Sequence, residues 1–142
     1  MILLILPVLF PRTTICEDRP AEDLVRHFVQ ARTQTMQENA TPADIEKALA
    51  DCAESLVYEH PAANAKVEGK EKVRAAMAGY LGDTKDARFS MHILASRPNV
   101  VVAEVDQAFL AKQVDGNWKP GKRSNITVFE IKDGKIGRIL DY

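Results

Sequence analysis

A chain of 142 residues has the length of one domain, and it can bury roughly two thirds of the surface that its unfolded form exposes. Apolar residues make up 46% and charged residues 27%, which is the balance of an ordinary soluble protein. The 19 basic and 20 acidic residues leave a formal net charge of -1, which argues against nucleic acid as a partner.

Residues 1–19 differ from the rest because they begin with an apolar run, Ile2 to Phe10. The run is shorter than the roughly 20 residues that a spanning helix needs, so we expect no stable membrane insertion. Its length fits the apolar core of a secretory signal, although no basic residue precedes it and no small-x-small motif follows. We therefore expect residues 1–19 to be either a secretory signal, with the protein periplasmic or secreted, or a disordered N-terminal arm of a cytoplasmic protein.

The two cysteines, Cys16 and Cys52, have no motif spacing that specifies a disulfide or a metal site. They could pair in an exported protein that retains Cys16. A buried thiol is the favoured interpretation of Cys52.

Three helices are predicted in the first part of the domain, which we place at residues 20–142. The first helix begins at Pro20 and has one apolar face. That face consists of Leu24, Val25, Phe28 and Val29. Thr41 is a predicted N-cap, with Pro42 at the first position of a short second helix and Asp44 three residues on. Gly69 to Leu81 is predicted as the third helix, with a buried stripe of Val73, Met77, Tyr80 and Leu81.

Five strands are predicted from a period of two in the apolar residues. The first runs from Leu56 to Pro61, and residues 62–68 are predicted as a loop. The other four begin near Phe89, Val100, Ser124 and Ile136. Residues 115–121 are predicted as a long hairpin connection, and Asp133 with Gly134 as a tight one.

This order of elements indicates an α+β fold, in which a curved antiparallel sheet wraps around the helices, rather than parallel βαβ units. We expect Phe89, Met91 and Ile93 to lie on one face of that sheet, opposite the apolar faces of the first and third helices.

The order of elements, and the residues from Leu56 to Tyr142, resemble the nuclear transport factor 2-like superfamily. The segment Val57-Tyr58-Glu59-His60-Pro61, followed by Gly69 and a helix, is similar to the strand, loop and helix that open the pocket in SnoaL-like cyclases and ketosteroid isomerases. The resemblance implies a cone-shaped α+β barrel of the cystatin-like kind. It also implies a pocket for a small, largely apolar molecule and a homodimer formed through the outer face of the sheet.

A second resemblance is to limonene-1,2-epoxide hydrolases, in which a Tyr and an Asn two residues later position water. An Arg-x-Asp strand and an Asp in the final strand complete the site of that family. Tyr58 matches the Tyr, His60 stands at the Asn, and Asp106 and Asp141 match the two acids. Glu104 stands at the Arg, which bridges the two carboxylates in that family. We therefore expect little hydrolysis of limonene oxide, and we expect Glu104→Arg to restore the pairing.

The period of the strands gives a grouping that does not depend on any family. Residues two apart share a face, so Tyr58 lies beside His60 and Glu104 beside Asp106. If both pairs face the concave side, desolvation and like charge raise the pKa of one carboxylate, so that it acts as an acid while its neighbour acts as a base. His60 is an alternative base, because imidazole titrates near neutral pH.

Each candidate also has a purely structural interpretation. Tyr58 could belong to the core, His60 could bind backbone at the end of its strand, and Asp141 could be a solvated carboxylate near the chain end. Glu104 could form an ion pair on a neighbouring strand. The candidate partners for that pair are Arg88, Lys122 and Arg138.

Phe28, Met77 and Trp118 are further candidates for the pocket wall, although Trp118 in a Gly- and Lys-rich hairpin is also expected to be partly exposed. No His-x-x-x-His pair, Gly-rich phosphate loop or Ser nucleophile motif occurs in the chain. We therefore predict no metal and no cofactor.

Two functions fit these residues. The first is cofactor-free acid-base catalysis on a small apolar substrate by a hydrolase or isomerase. The second is a non-catalytic module that binds a ligand or assembles through the same surfaces. The enzymatic hypothesis requires Tyr58, His60 and Asp106 to face one enclosed space.

Overall fold

The computed structural model describes residues 20–142. The predicted signal or arm and Cys16 lie outside these residues. Three helices and six strands follow one another along the described chain. They are α1 (Ala21–Gln34), α2 (Pro42–Leu49), β1 (Cys52–His60), β2 (Ala65–Glu68), α3 (Lys70–Ala78), β3 (Thr84–Arg97), β4 (Val100–Lys112), β5 (Trp118–Lys132) and β6 (Lys135–Asp141).

The strands form one curved, open sheet in the order β2-β1-β6-β5-β4-β3. All neighbours are antiparallel except β1 and β6, which run parallel, so the sheet is mixed. The helices pack on one face of it and close a single core with the inward side chains of the strands. The predicted α+β class is confirmed.

The helix predictions hold except at the end of α3. Leu24, Val25, Phe28 and Val29 are all buried. At the start of α2, the Asp44 carboxylate accepts hydrogen bonds of 2.9 Å from the backbone N–H and from the hydroxyl of Thr41, as the capping pattern predicts. Helix α3 ends at Ala78, and the chain leaves it through a turn at Gly79. The predicted burial of Tyr80 is therefore wrong, because Tyr80 lies beyond the helix and is 67% exposed.

Strand β2 lies in a segment that was predicted as a loop. It pairs with β1 from Glu68 opposite Val57 to Ala65 opposite His60. The turn between the strands places Asn64 in the left-handed region, at φ 50°. With four residues and one apolar side chain, β2 is too short for a period of two to be visible in the sequence.

The connection between β4 and β5 is shorter than predicted, because Pro120 and Gly121 lie within β5. Pro120 is tolerated there since β6 pairs only with Thr127 to Lys132, which leaves one edge of β5 open at the proline. Gly121 faces the ring of Phe109, and a Cβ at this position would lie 2.6 Å from Phe109 Cε2. Pro120 and Gly121 therefore do not form the turn that their residue types predict, because Pro120 lies at an open strand edge and Gly121 makes room for the Phe109 ring.

Other details of the sheet agree with the sequence. Phe89, Met91 and Ile93 pack against the buried core, as predicted. Asp133 and Gly134 both have positive φ, at 51° and 68°, which confirms the tight hairpin between β5 and β6. Cys52 is a buried free thiol, and burial raises its pKa to about 12.

No helix within residues 20–142 combines the length and the apolar composition that crossing a bilayer requires.

Candidate functional site

A cavity of about 420 Å³ lies between the inner face of the sheet and helices α1 and α3. This volume falls in the range of roughly 300–1,000 Å³ that small-molecule sites occupy. Most of its wall is apolar. Large apolar side chains in the wall include Phe28, Met77, Phe89, Phe129 and Ile139. Phe28 and Met77 thus lie where the sequence placed them.

A buried carboxylate, Asp141, forms part of the cavity wall at the end of β6, and it is 8% exposed. The hydroxyl of Tyr58 donates a hydrogen bond of 2.7 Å to its Oδ2, and the hydroxyl of Thr127 donates one of 2.6 Å to its Oδ1. Thr127 stands directly opposite Asp141 in the pairing of β5 with β6, which explains the second contact. Each carboxylate oxygen keeps further acceptor capacity toward the cavity.

The Tyr58 phenol is held in its protonated form by its surroundings. Burial raises its pKa above the ordinary value of 10.0, and the negative charge of Asp141 raises it further, whereas the positive charges of Arg32 and Arg123 oppose the rise. At neutral pH the hydroxyl therefore keeps its proton and donates a hydrogen bond, which the carboxylate of Asp141 accepts.

His60 lies two residues further along β1, on the same face as Tyr58. Its ring centroid is 5.0 Å from that of Tyr58, and its Nδ1 is 3.8 Å from Asp141 Oδ2. This distance is too long for a hydrogen bond but close enough for attraction when the imidazole is protonated. The side chain is 45% exposed, so His60 is accessible to solvent from the cavity.

Within residues 20–142, seven polar side chains in the cavity wall were missed by the sequence reasoning, and two of them are Thr35 and Thr84; the other five carry more of the site's chemistry. They are Arg32, Gln107, Arg123, Asn125 and Thr127. The residues on β5 could have been found from the alternation of the strand. Asn125 and Thr127 precede the buried Phe129 in steps of two, so they lie on the same face as Phe129. Arg32 likewise follows Phe28 by four residues, which puts both on one helix face.

Asp106 and Glu104 do not face the cavity, and this expectation was wrong. The buried residues of β4 at this point are Ala103 and Val105, so the acids between and after them point to the outer face. Asp106 is exposed and lines a second, more open depression together with Arg88 and Lys122. The inward position that follows Val105 is taken by Gln107.

The proposed repair by Glu104→Arg therefore loses its basis, because the inward neighbour at that point is Val105. Among the candidate partners of Glu104, Arg138 instead pairs with Glu59 at 3.0 Å and with Glu130 at 3.4 Å.

Trp118 stands at the start of β5, outside the cavity wall. The Nζ of Lys85 lies 4.4 Å from the centroid of its ring, and the side chain is partly exposed. The expectation that it lines the pocket is wrong, whereas its partial exposure near the hairpin agrees with the sequence.

In residues 20–142, no three side chains of His, Cys, Asp or Glu are grouped so that they could hold a metal ion. The absence of a metal and of a cofactor stays a prediction.

The sequence model of the SnoaL-like domain matches residues 25–139, which is most of the chain. The chain belongs to the SnoaL-like family. No curated protein sequence matches it.

Solved structures of this fold resemble the SnoaL-like chain closely in shape but not in sequence. A proposed polyketide cyclase from Pseudomonas putida has a TM-score of 0.70 at 18% identity, over 87% of this chain and 91% of its own. An LEH-like epoxide hydrolase from M. tuberculosis has a TM-score of 0.62 at 20% identity, over 85% and 82%. A protein of ketosteroid isomerase-like fold from Catenulispora acidiphila, in complex with trimethylamine, has a TM-score of 0.66 at 16% identity, over 87% and 86%. At these identities the likeness establishes the fold alone.

Proposed function

We propose that this SnoaL-like protein binds a small, largely apolar molecule in its cavity and catalyses cofactor-free proton transfer with Asp141 as the base. The observation that carries the proposal is the Asp141 carboxylate, which is buried in an apolar cavity and oriented by two hydroxyl donors, one on each oxygen. A base must be fixed relative to the bond that it breaks, and these two contacts supply that positioning.

The proposed step moves a proton from a carbon next to a carbonyl group of the ligand to Asp141. The electron pair left behind forms an enolate, whose oxygen accepts hydrogen bonds from donors in the wall. Asn125 and Gln107 carry amide N–H groups in that wall. Return of the proton to another carbon completes an isomerisation. Alternatively, the enolate carbon attacks a second carbonyl, the C=O π electrons move to its oxygen, and the resulting alkoxide takes the proton back from Asp141, which closes a ring and restores the base.

Proton transfer is favoured over epoxide hydrolysis because of the number of carboxylates. Among the described residues, Asp141 is the one acidic side chain in the cavity wall. Opening an epoxide with two carboxylates requires one as acid and one as base, and Asp106 faces the other side of the sheet.

The experiment begins with a thermal-shift screen of epoxides, steroids and polyketide-like aromatics against the purified chain. Ligands with an acidic C–H bond are then incubated in D2O, and NMR follows the incorporation of deuterium at that carbon. We expect Asp141→Asn to slow the exchange by about 10²–10⁴-fold, since that is the usual contribution of a positioned base. Asp106→Asn is the matched control and should exchange at the wild-type rate.

Binding without any exchange in the wild-type protein would contradict the catalytic proposal and would favour a non-catalytic binding module. Equal exchange rates in the wild-type protein and Asp141→Asn would remove Asp141 from the base position, and His60→Gln would then be the next variant to measure.

Homodimerisation through the outer sheet face is a further part of the proposal. That face carries Leu94 and Ile126, which are 50% and 40% exposed. A monomeric mass by light scattering at micromolar concentration would contradict it. Export of the protein stays a prediction.

A further inference from the structure

We infer that the ligand of this cavity is an organic anion, with an apolar body and one acidic group that Arg32 and Arg123 bind. The inference rests on the proposed function, because it names the class of molecule for the same cavity. It starts from the charges of the wall, in which Asp141 is one anion and these two arginines are cations on separate elements, α1 and β5.

Neither arginine is neutralised by the protein. Throughout residues 20–142, Arg32 and Arg123 form no ion pair with a carboxylate, whereas Arg74 pairs with Glu46 and Arg138 with Glu59. Arg32 is partly buried, and its Nη1 donates to the hydroxyl of Thr35, another residue of the wall. A guanidinium has five N–H donors, so most of those on Arg32 are open to a ligand. Planar acidic groups such as carboxylates accept two of them at once.

The backbones of Asp141 and Arg123 are separated along the sheet. Thr127 lies opposite Asp141, and Arg123 lies four residues before Thr127 on β5, where it pairs with Gln107 of β4. At roughly 3.3 Å per residue, the backbones of these two positions are about 13 Å apart. An acidic group is repelled by the Asp141 carboxylate and attracted by the guanidinium groups, so the orientation that turns the acidic group toward Arg123 and away from Asp141 is favoured.

The apolar wall between the charges fits the rest of such a ligand. Phe89, Phe129 and Met77 line the cavity and offer aromatic and thioether surface to an apolar body. In this orientation the acidic group lies away from Asp141, and a C–H bond at the other end of the body lies against it. The class is therefore an unsaturated or aromatic keto acid, rather than a neutral terpene or steroid.

Two fluorescent probes with the same aromatic body test the inference. The first is 8-anilinonaphthalene-1-sulfonate, which is an anion, and the second is N-phenyl-1-naphthylamine, which is neutral. We expect Arg32→Met and Arg123→Met, combined, to weaken binding of the anion by about tenfold or more, because charge-assisted hydrogen bonds are lost. Binding of the neutral probe should be unchanged, which also shows that the variant is folded.

Three control variants complete the experiment. Lys122→Met removes the neighbouring cation on the outer face and should change neither probe. Arg32→Lys with Arg123→Lys keeps the charges and should restore part of the affinity for the anion. Ala76→Trp places a large side chain on an exposed position of α3 in the cavity wall, and it should weaken both probes.

Unchanged affinity for the anion in the double Met variant, with both probes still weakened by Ala76→Trp, would overturn the inference and leave the proposed cavity intact. Indifference of both probes to Ala76→Trp would overturn the inference and the proposed binding function together. Weaker binding of the anionic probe alone in the double Met variant, with affinity partly restored in the double Lys variant, supports the inference.

Discussion

The two faces of β4 and β5 place similar side chains in opposite surroundings. On the inner face, Gln107 and Asn125 line the cavity, whereas on the outer face Glu104 is half-buried and Asp106 is exposed near surface cations. A single residue along the strand separates the two sets. The face of the strand on which a residue lies, rather than its chemical type, therefore decides whether it contributes to the site.

The clearest contrast is between two aspartates. Asp141 is buried and accepts hydrogen bonds from Tyr58 and Thr127, whereas Asp106 is exposed beside Arg88 and Lys122. A carboxylate held by neutral donors in an apolar cavity can act on a ligand, whereas one among solvated cations mainly contributes to surface charge. The predictions below test how far the difference between the faces extends.

Truncation of an inner and an outer side chain should give the largest difference. Phe129 is 1% exposed, and its ring packs edge-on against Phe28 with the centroids 6.0 Å apart. We expect Phe129→Ala to lower the free energy of unfolding by about 3–5 kcal/mol, since it leaves a void in the core. Ile126→Ala, on the outer face, should cost less than about 1 kcal/mol. Urea unfolding followed by circular dichroism measures both, and equal losses would contradict the contrast.

The hydroxyl of Tyr58 should matter where that of Tyr80 does not. Tyr58→Phe leaves Oδ2 of the buried Asp141 without this donor, so we expect it to lower the free energy of unfolding by about 1–3 kcal/mol. Tyr80→Phe, at an exposed position, should change it by less than about 0.5 kcal/mol. If Tyr58→Phe proves as stable as the wild type, the contact with Asp141 contributes no net stability.

The raised pKa of Tyr58 gives a spectroscopic test. Absorbance of phenolate near 295 nm, recorded on the folded chain between pH 7 and about 11, should be the same for the wild type and Tyr58→Phe, because Tyr58 keeps its proton. In urea the wild type should show one additional phenolate. Since the folded pKa lies above the unfolded value of 10.0, the stability that the protonated phenol contributes is present below pH 10.0 and declines as pH rises above it. If the folded wild type shows one more phenolate than folded Tyr58→Phe near pH 10, the phenol of Tyr58 is not held in its protonated form by burial.

Much of the fold could be predicted from the sequence because its signals are local. The face of α1, the cap at Thr41 and the hairpin at Asp133 each depend on residues within one or two turns of chain. Strand β2 could not be predicted, because its four residues are too few to show a period of two. The inclusion of Pro120 in β5 could not be predicted either, because it depends on which part of β5 is left unpaired by β6.

The residues of the site could also be predicted only in part. Tyr58 and His60 follow the buried Leu56 in steps of two, so their shared face was visible in the sequence, and both line the cavity. Asp106 was expected in the cavity because it matches an acid in a family pattern. The sequence itself argued against this, because the apolar Ala103 and Val105 alternate with Glu104 and Asp106, which puts the acids on the other face. Gln107 follows the apolar Val105 by two residues, so the sequence already indicated that Gln107 is the polar residue of β4 that faces inward.

The smallest expected effect is a gain of function from the one-residue shift itself. Val105→Arg with Gln107→Asp would place an Arg-x-Asp pattern on the inner face of β4, where the arginine could bridge the new carboxylate and Asp141. We expect this double variant to hydrolyse limonene oxide weakly but measurably, by gas chromatography of the diol, while the wild type stays at background. The gain is limited because burying an arginine at a position that is 5% exposed disturbs packing.

Glu104→Arg with Asp106 retained is the matched control, and it should also stay at background, because it builds the same pattern on the outer face. Turnover by Glu104→Arg, without turnover by the double variant, would show that β4 presents the opposite face to the cavity.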